Sequence, residues 1–171
     1  MAAFMRHIVG QRVAGSSGNV QDHQSNDSDA EGCIFCLRDD SELNQIACEN
    51  SGFFARYDNF PAADGHLEIV PKRHVESFFD LSMEEITEAY SLLLEARCML
   101  DGKYNPDGYT IGINEGTAAG RSIDHLHIHL IPRHEGDVAD PRGGIRRAAP
   151  NCDPDSWASD AAKPSQKSDL R

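Results

Sequence analysis

The alternation of apolar and polar residues along the chain predicts five short strands and one long helix. Period-two patterns favour strands at 45–49, 53–57, 66–71, 108–114 and 124–132. Between Ser82 and Gly102, apolar residues recur at helical spacing, and Ser82 with Glu85 three residues later forms a capping-box pattern that marks the helix start. With a shorter helix expected near 74–80, this order predicts an α+β fold built on an antiparallel sheet.

Composition predicts one folded domain between two polar tails. Hydrophobic residues make up 39% of the 171 residues, which is slightly low for a fully packed chain. Residues 14–32 and 150–171 contain few large apolar side chains, too few to offset the entropy of ordering them. We therefore expect a disordered tail at 1–32, a domain at 33–148 and a flexible tail at 149–171.

The charge distribution limits the classes of ligand. Sixteen basic and 28 acidic residues give a net charge of −12, which argues against general nucleic-acid binding. Residues 31–120 carry −11 of this charge, whereas 121–147 contain five arginines and four acidic residues. A polyanionic ligand is therefore expected near 121–147.

Membrane and secretion signals are not evident in the sequence. No run of 18 or more apolar residues occurs, so we expect no transmembrane helix and no membrane partner. Five cysteines, an odd number, without a secretory signal do not suggest a disulfide scaffold. These observations favour a reducing cytoplasm, with a mitochondrial transit peptide containing Arg6 and Arg12 as the minor alternative.

Three histidines alternate with apolar residues at 125–130. In a strand, the histidines would share one face, and the apolar residues would pack on the long helix from the other. The histidine face could hold a catalytic zinc ion, or one imidazole could attack phosphorus. The glycine-rich segment 114–122 just before it is suited to bind a phosphate through backbone N–H groups. This neighbour favours phosphoryl or nucleotidyl chemistry.

The segment His125–Ile131 resembles the signature of the histidine triad family of nucleotide hydrolases and transferases. The resemblance extends over about 33–147 and includes Cys33-x-x-Cys36, Gly65-His66, the segment 69–74, the residues Asn114, Gly116, Gly120 and Ser122, and Pro132-Arg133. Residues 137–146 are similar to those of bacterial members described as dinucleoside-polyphosphate hydrolases. The resemblance implies a five-stranded antiparallel sheet, one long and one short helix, and a homodimer.

The resemblance also implies a role for each matching residue. His127 would be the nucleophile that forms a nucleotidyl–histidine intermediate, which water then hydrolyses. Its expected neighbours are His129 as a phosphate ligand, His66 as a support behind the histidine row, Asp58 at the ribose, and Asn114 and Ser122 at phosphate and leaving-group oxygens.

Arg121 departs from the family pattern, in which glutamine is common at this position. A guanidinium is always charged and can bind two phosphate oxygens. We expect Arg121 to contact a highly charged leaving group such as a polyphosphate. The alternative is that it points to solvent or pairs with Asp124, three residues away.

Cys33 and Cys36 have three possible roles. A lone Cys-x-x-Cys is weak evidence for zinc, but the resemblance adds His74 and His125, and Cys₂His₂ is a closed structural ligand set. Structural zinc is therefore predicted as the cofactor. Unmetallated thiols and a redox pair are the alternatives, although the βαβ context of a redox motif is absent.

These features predict an enzyme that cleaves at the α-phosphate of a nucleotide such as a dinucleoside polyphosphate. The alternatives are a nucleoside phosphoramidase and a nucleotide-binding regulatory module without catalysis. The histidines at 127 and 129 together with Asn114 favour the enzyme.

Overall fold

A five-stranded antiparallel sheet with one long helix across it is the framework of residues 32–149, the part of the chain that this computed structural model describes. The elements are β1 (Ile46–Glu49), β2 (Phe53–Tyr57), β3 (Leu67–Pro71), α1 (Met83–Tyr104), β4 (Gly108–Gly112) and β5 (Ile128–Arg133). The strand order is β1-β2-β3-β5-β4. The α+β architecture predicted from the sequence is confirmed. The predicted tails, 1–32 and 149–171, lie outside the described residues except for Gly32 and Ala149.

Helix α1 begins where the sequence predicts and ends two residues later than expected. The amide of Glu85 donates to Ser82 Oγ over 3.2 Å, and the amide of Ser82 donates to Glu85 Oε2 over 2.8 Å, which completes the capping box. The sequence places the end of the helix near Gly102. Asn105, with a φ of 47°, adopts the left-handed conformation that ends the helix after Tyr104.

The sheet has two different faces. One face packs against α1, whose buried residues are spaced three or four positions apart: Ala89, Leu92, Ala96 and Leu100. The other face carries a smaller apolar cluster, in which Phe54 and Val70 contact Phe35 from the segment before β1. Because β5 is an interior strand, with β3 on one side and β4 on the other, its side chains contact both layers.

Strand β5 starts at Ile128, four residues later than the sequence predicts. The amide of Leu126 donates to the carbonyl of Val75 over 2.6 Å, so the backbone before Ile128 binds a loop and not a neighbouring strand. The alternation of side chains nevertheless begins earlier, because Leu126 packs in the helix-side core with Ile128 and Leu130. The expected opposition of apolar and histidine faces is therefore confirmed, although half of it lies outside the regular strand.

Two further elements are shorter than predicted. The helix expected near 74–80 is a single 3-10 turn, Phe78–Asp80, with Ser77 as its N-cap. Strand β4 ends at Gly112 and not at residue 114, because the chain turns into the glycine-rich loop at that point. The same loop contains a 3-10 turn at Thr117–Ala119, and a third one, Gly144–Ala148, follows β5.

Gly65 is required where the loop before β3 passes the end of α1. Its φ is 80°, and a Cβ atom there would lie 2.8 Å from the ring of Tyr104. The close approach positions His66 directly before β3. None of the helices within residues 32–149 is long and apolar enough to cross a membrane.

The capping box predicts a measurable contribution to stability. Ser82→Ala should lower the free energy of unfolding by about 1 kcal/mol, because an amide at the helix start loses its acceptor. The control is Ser91→Ala on the exposed face inside the same helix, where alanine should be neutral or slightly stabilising. Urea unfolding followed by far-UV circular dichroism measures both. Equal changes in the free energy of unfolding for the two substitutions would contradict a capping role for Ser82.

Candidate functional site

Two cysteines and two histidines converge beside the start of the histidine segment. Sγ of Cys33 lies 3.4 Å from Nδ1 of His125, and Sγ of Cys36 lies 3.3 Å from Nδ1 of His74 and 3.6 Å from Nδ1 of His125. All four donor atoms lie within 4.8 Å of one another. Ligands of a tetrahedral zinc ion are roughly 3.3–3.8 Å apart, given Zn–N and Zn–S distances of about 2.0–2.1 and 2.3 Å. The geometry fits a Cys₂His₂ metal site.

Hydrogen bonding orients the ring of His125 toward this site. Its Nε2 lies 2.9 Å from the carbonyl of Pro71, which can only accept, so Nε2 carries the proton and Nδ1 presents its lone pair to the cysteines. Burial, together with the neighbouring Cys33, raises the pKa of the Cys36 thiol to about 11. A cation at this position would therefore displace a proton when it binds.

The second histidine of the row has one bare ring nitrogen. Nδ1 of His127 lies 2.8 Å from the carbonyl of His125, so Nδ1 carries the proton and Nε2 keeps a lone pair. The side chain is almost completely buried, with the ring of Phe35 at 5.3 Å between centroids. A fixed imidazole with an unprotonated Nε2 is the form in which histidine acts as a nucleophile.

In His129, the third histidine of the row, the proton is on the other ring nitrogen, Nε2, because of a contact with His66. The amide of Ala62 donates to Nδ1 of His66 over 3.2 Å, which leaves the proton on Nε2 of His66. That nitrogen lies 3.0 Å from Nδ1 of His129 and donates to it. The proton of His129 is therefore on Nε2, which can donate to a ligand. A carboxylate oxygen of Asp58 lies 3.4 Å from Nδ1 of His66, behind the row.

Burial keeps these imidazoles neutral. Desolvation is the largest cause that lowers the pKa values of His66 and His127. For His129, burial together with the neighbouring histidines lowers the pKa to about 4. At neutral pH the row therefore offers one lone pair and one N–H donor, and does not form a cluster of cations.

Two cavities meet at His129 and Asn114. The first, about 230 Å³, contains most of the residues expected to bind substrate, namely Asp58, Asn114, Ser122, His127 and His129, with Ile34 and Ile123 among its apolar walls. The second, about 570 Å³, lies on the side of the loop 113–119 and is also lined by His129 and Asn114. The structure thus brings together the sequence-predicted substrate residues except Arg121.

Arg121 is engaged by acidic residues and lines neither cavity. Its Nη2 lies 3.1 Å from a carboxylate oxygen of Glu76 and 3.0 Å from one of Asp124. Its Nη1 donates to the backbone carbonyl of Glu76 over 3.2 Å. This is the pairing with Asp124 that the sequence left as the alternative, with Glu76 as a further partner.

Sequence reasoning missed a buried ion pair in the wall of the first cavity. Arg56 on β2 and Glu68 on β3 are only 2% and 5% exposed and pair directly across the two strands. Burial is the main cause that raises the pKa of Glu68 to about 7, with the charge of Asp58 as a second cause. The available signal was one charged residue inside each of two otherwise apolar strands.

The amino-acid sequence is similar to those of known proteins. The HIT domain family model matches residues 42–136. An uncharacterized HIT-like protein of Methanocaldococcus jannaschii is 35% identical over 106 residues, which cover 61% of this chain and 81% of that protein. The bis(5'-adenosyl)-triphosphatase of Dictyostelium discoideum is 36% identical over 84 residues, which cover 49% of this chain and 56% of that enzyme.

Solved structures share the fold. A HIT family protein of Bacillus anthracis superimposes with a TM-score of 0.58 at 30% identity, over 63% of this chain and 77% of that one. A zinc-bound histidine triad family protein of Mycobacterium smegmatis gives 0.57 at 25% identity, over 70% and 91%. Since the family model covers more than half of the chain and includes the whole sheet, the chain belongs to the HIT domain family.

Proposed function

We propose that the chain is a hydrolase or nucleotidyl transferase that acts at the α-phosphate of a nucleotide such as a dinucleoside polyphosphate. One observation carries the proposal: His127 presents a bare Nε2 and His129 an Nε2–H donor in a row beside a cavity lined by Asp58 and Ser122. Covalent nucleotidyl transfer needs at least a nucleophile and, next to it, an N–H group that donates a hydrogen bond to the phosphate. The similarity to the Dictyostelium triphosphatase supports this substrate class.

The reaction would proceed in two displacements. The lone pair of His127 Nε2 forms a bond to the α-phosphorus, and the bond from phosphorus to the bridging oxygen breaks, so the leaving group takes the electron pair. The carbonyl of His125, which accepts from Nδ1–H, stabilises the positive charge that develops on the ring. A water oxygen then bonds to phosphorus and loses one proton to solvent, while the P–N bond breaks and returns its electrons to Nε2.

The other residues would bind and orient the nucleotide. His129 would donate to a non-bridging phosphate oxygen, and His66 would hold that ring through the bond to Nδ1. Asp58 would accept from ribose hydroxyls, and Asn114 and Ser122 would hold phosphate and leaving-group oxygens. Contact of Arg121 with further phosphates stays a prediction. It requires the guanidinium to leave its ion pair with Glu76 or Asp124 and to bind the substrate phosphate instead.

We propose that zinc is the cation for Cys33, Cys36, His74 and His125. The convergence of two sulfur and two nitrogen donors supports this choice, as does the zinc-bound relative from Mycobacterium smegmatis. With four protein ligands and no open position, the ion would supply stability and not a catalytic water. The cytoplasmic location and the homodimer expected from the sequence stay predictions.

Replacement of the nucleophile is the most direct test of the proposed reaction. His127→Ala should reduce turnover of a dinucleoside polyphosphate by about three orders of magnitude or more, because the covalent route is lost. Binding of a non-hydrolysable analogue should persist, as measured by calorimetry. The control is His134→Ala in the exposed loop after β5, which should keep wild-type turnover. An His127→Ala protein with more than about a tenth of the activity would exclude His127 as nucleophile.

The neutral histidines also predict the pH dependence. Because the pKa of His129 is lowered to about 4 and that of His127 is lowered as well, both rings stay neutral as pH falls through 6.5. We expect kcat/KM to remain level from pH 8 to about 6.5 and to fall only at lower pH, where protonation of His127 Nε2 removes the nucleophilic lone pair. The profile is measured with a substrate that has no terminal phosphate, because such a group would itself titrate in this range. An inflection of kcat/KM at or above pH 6.5 would contradict the prediction.

Metal analysis tests the zinc proposal. We expect about one zinc ion per chain in protein purified without chelators, as a closed site requires. Cys33→Ser should lower the melting temperature more than it lowers the rate of the remaining folded protein. Cys98→Ser, on the exposed surface of α1, is the matched control and should change neither. Protein without zinc, or activity that follows zinc while stability does not, would refute a structural ion.

A further inference from the structure

A buried carboxyl group lines the first cavity on the strand next to the histidine row. Glu68 on β3 lies directly opposite His129 on β5, so the two side chains are on the same face of the sheet. A carboxylate oxygen of Glu68 lies within 4.8 Å of a ring nitrogen of His127 and of a ring nitrogen of His129. Glu68 therefore lies beside the position proposed for the phosphate, in the cavity that also contains Asp58.

Arg56 fixes this carboxyl group at the cavity wall. It lies opposite Glu68 on β2 and pairs with it directly. Its Nη2 donates to the backbone carbonyl of Leu43 over 2.8 Å, and the guanidinium lies over the ring of Phe35, 5.3 Å from the ring centroid. Since three contacts hold the guanidinium, the carboxyl group that it binds has little freedom to move away from the cavity.

A second carboxyl group, that of Asp58, faces Glu68 in the same cavity. The charge of Asp58 and a hydrogen bond between the two groups add to burial in raising the pKa of Glu68 to about 7. The amide of Phe60 donates to Asp58 over 2.7 Å, and Arg56 donates to Glu68. The two carboxyl groups have four oxygen atoms, which can accept more hydrogen bonds than these.

This carboxyl pair suits a neutral ligand group that carries two adjacent O–H donors. Arg56 offsets one of the two negative charges, and the remaining charge disfavours a phosphate group at this place. Hydroxyl groups form strong hydrogen bonds to carboxylates. In a nucleoside 5'-phosphate one methylene group separates the phosphate ester oxygen from the ribose ring, so the ribose must lie next to the residues that hold the phosphate. Its 2'- and 3'-hydroxyls are adjacent, and each can donate to one carboxyl group.

We propose that Glu68 is a second ribose-binding residue, which accepts from one of the two ribose hydroxyls while Asp58 accepts from the other, and that Arg56 positions it. The proposal rests on the proposed function, from which it takes the phosphate position at His127 and His129. It deepens that function, because a site with one carboxyl group for each hydroxyl selects ribonucleotides over both 2'-deoxy- and 3'-deoxyribonucleotides.

The test measures this sugar selectivity through binding, so it does not depend on turnover. Calorimetry gives the dissociation constants of adenosine 5'-monophosphate and of its 2'-deoxy and 3'-deoxy analogues, with adenosine chosen because of the similarity to the Dictyostelium bis(5'-adenosyl)-triphosphatase. The wild-type protein should bind the ribonucleotide about tenfold or more tightly than either analogue, since each analogue lacks one hydrogen bond to a charged group. In Glu68→Gln the preference over one analogue should fall to about threefold or less, with the preference over the other unchanged.

Two further variants separate recognition from a structural role. Arg56→Met combined with Glu68→Leu removes both charges and leaves neither buried alone, so it provides the same test if the single variant does not fold. It should abolish the preference over the analogue that Glu68→Gln affects. Glu49→Gln is the matched control, because it removes a carboxylate that pairs with Lys72 outside the first cavity, and it should keep both wild-type preferences.

The outcomes distinguish this proposal from the proposed reaction. Equal weakening of all three ligands in the Glu68 variants, as a general loss of structure would cause, would overturn the ribose role, and so would preferences that stay as in the wild type. A wild-type protein that binds the three nucleotides equally would overturn it as well, even if that protein cleaves a dinucleoside polyphosphate. Failure to bind any of the three would overturn both proposals.

Discussion

The architecture depends on a single stretch of chain, His125–Leu130, that has to satisfy two environments at once. Its apolar side chains complete the core against α1, and its histidines face the opposite layer. A shift of one residue in register would put imidazoles against the helix and leucines into the site. The pairing of β5 with both β3 and β4, with Leu130 opposite Leu67 and Ile111, prevents that shift.

The chemistry of the histidine row is set by the acceptors and donors behind it. Each ring has one nitrogen engaged by a neighbouring group. For His125 and His127 this group is a backbone carbonyl, of Pro71 and of His125, which can only accept. For His129 it is Nε2 of His66, whose proton is assigned by the Ala62 amide that donates to Nδ1 of His66. His125 thereby presents a lone pair to the Cys₂His₂ site, His127 presents a lone pair to the first cavity, and His129 presents an N–H donor to the same cavity. The backbone thus distributes different functions along one repeating pattern.

Most arginines within residues 32–149 form ion pairs with acidic side chains of the same chain. Arg121 is bound by Glu76 and Asp124, and Arg133 is bound by Asp137. The Arg56–Glu68 pair is buried in the cavity wall, where two apolar residues would often be at least as stable. Local net charge therefore does not identify which arginines are paired, because partners such as Glu76 come from other segments of the chain.

Local sequence determined the elements and the identities of the key side chains. The capping box, the strands at 45–49 and 53–57 and the alternation at 125–130 depend on backbone geometry over a few residues, so they could be recognised in order along the chain. Tertiary structure alone decided the later start of β5, the partners of Arg121, the burial of Arg56 with Glu68 and the two cavities that meet at His129. These features arise from contacts between residues distant in sequence, and the spacing of residues along one segment carries no information about what another segment brings against it.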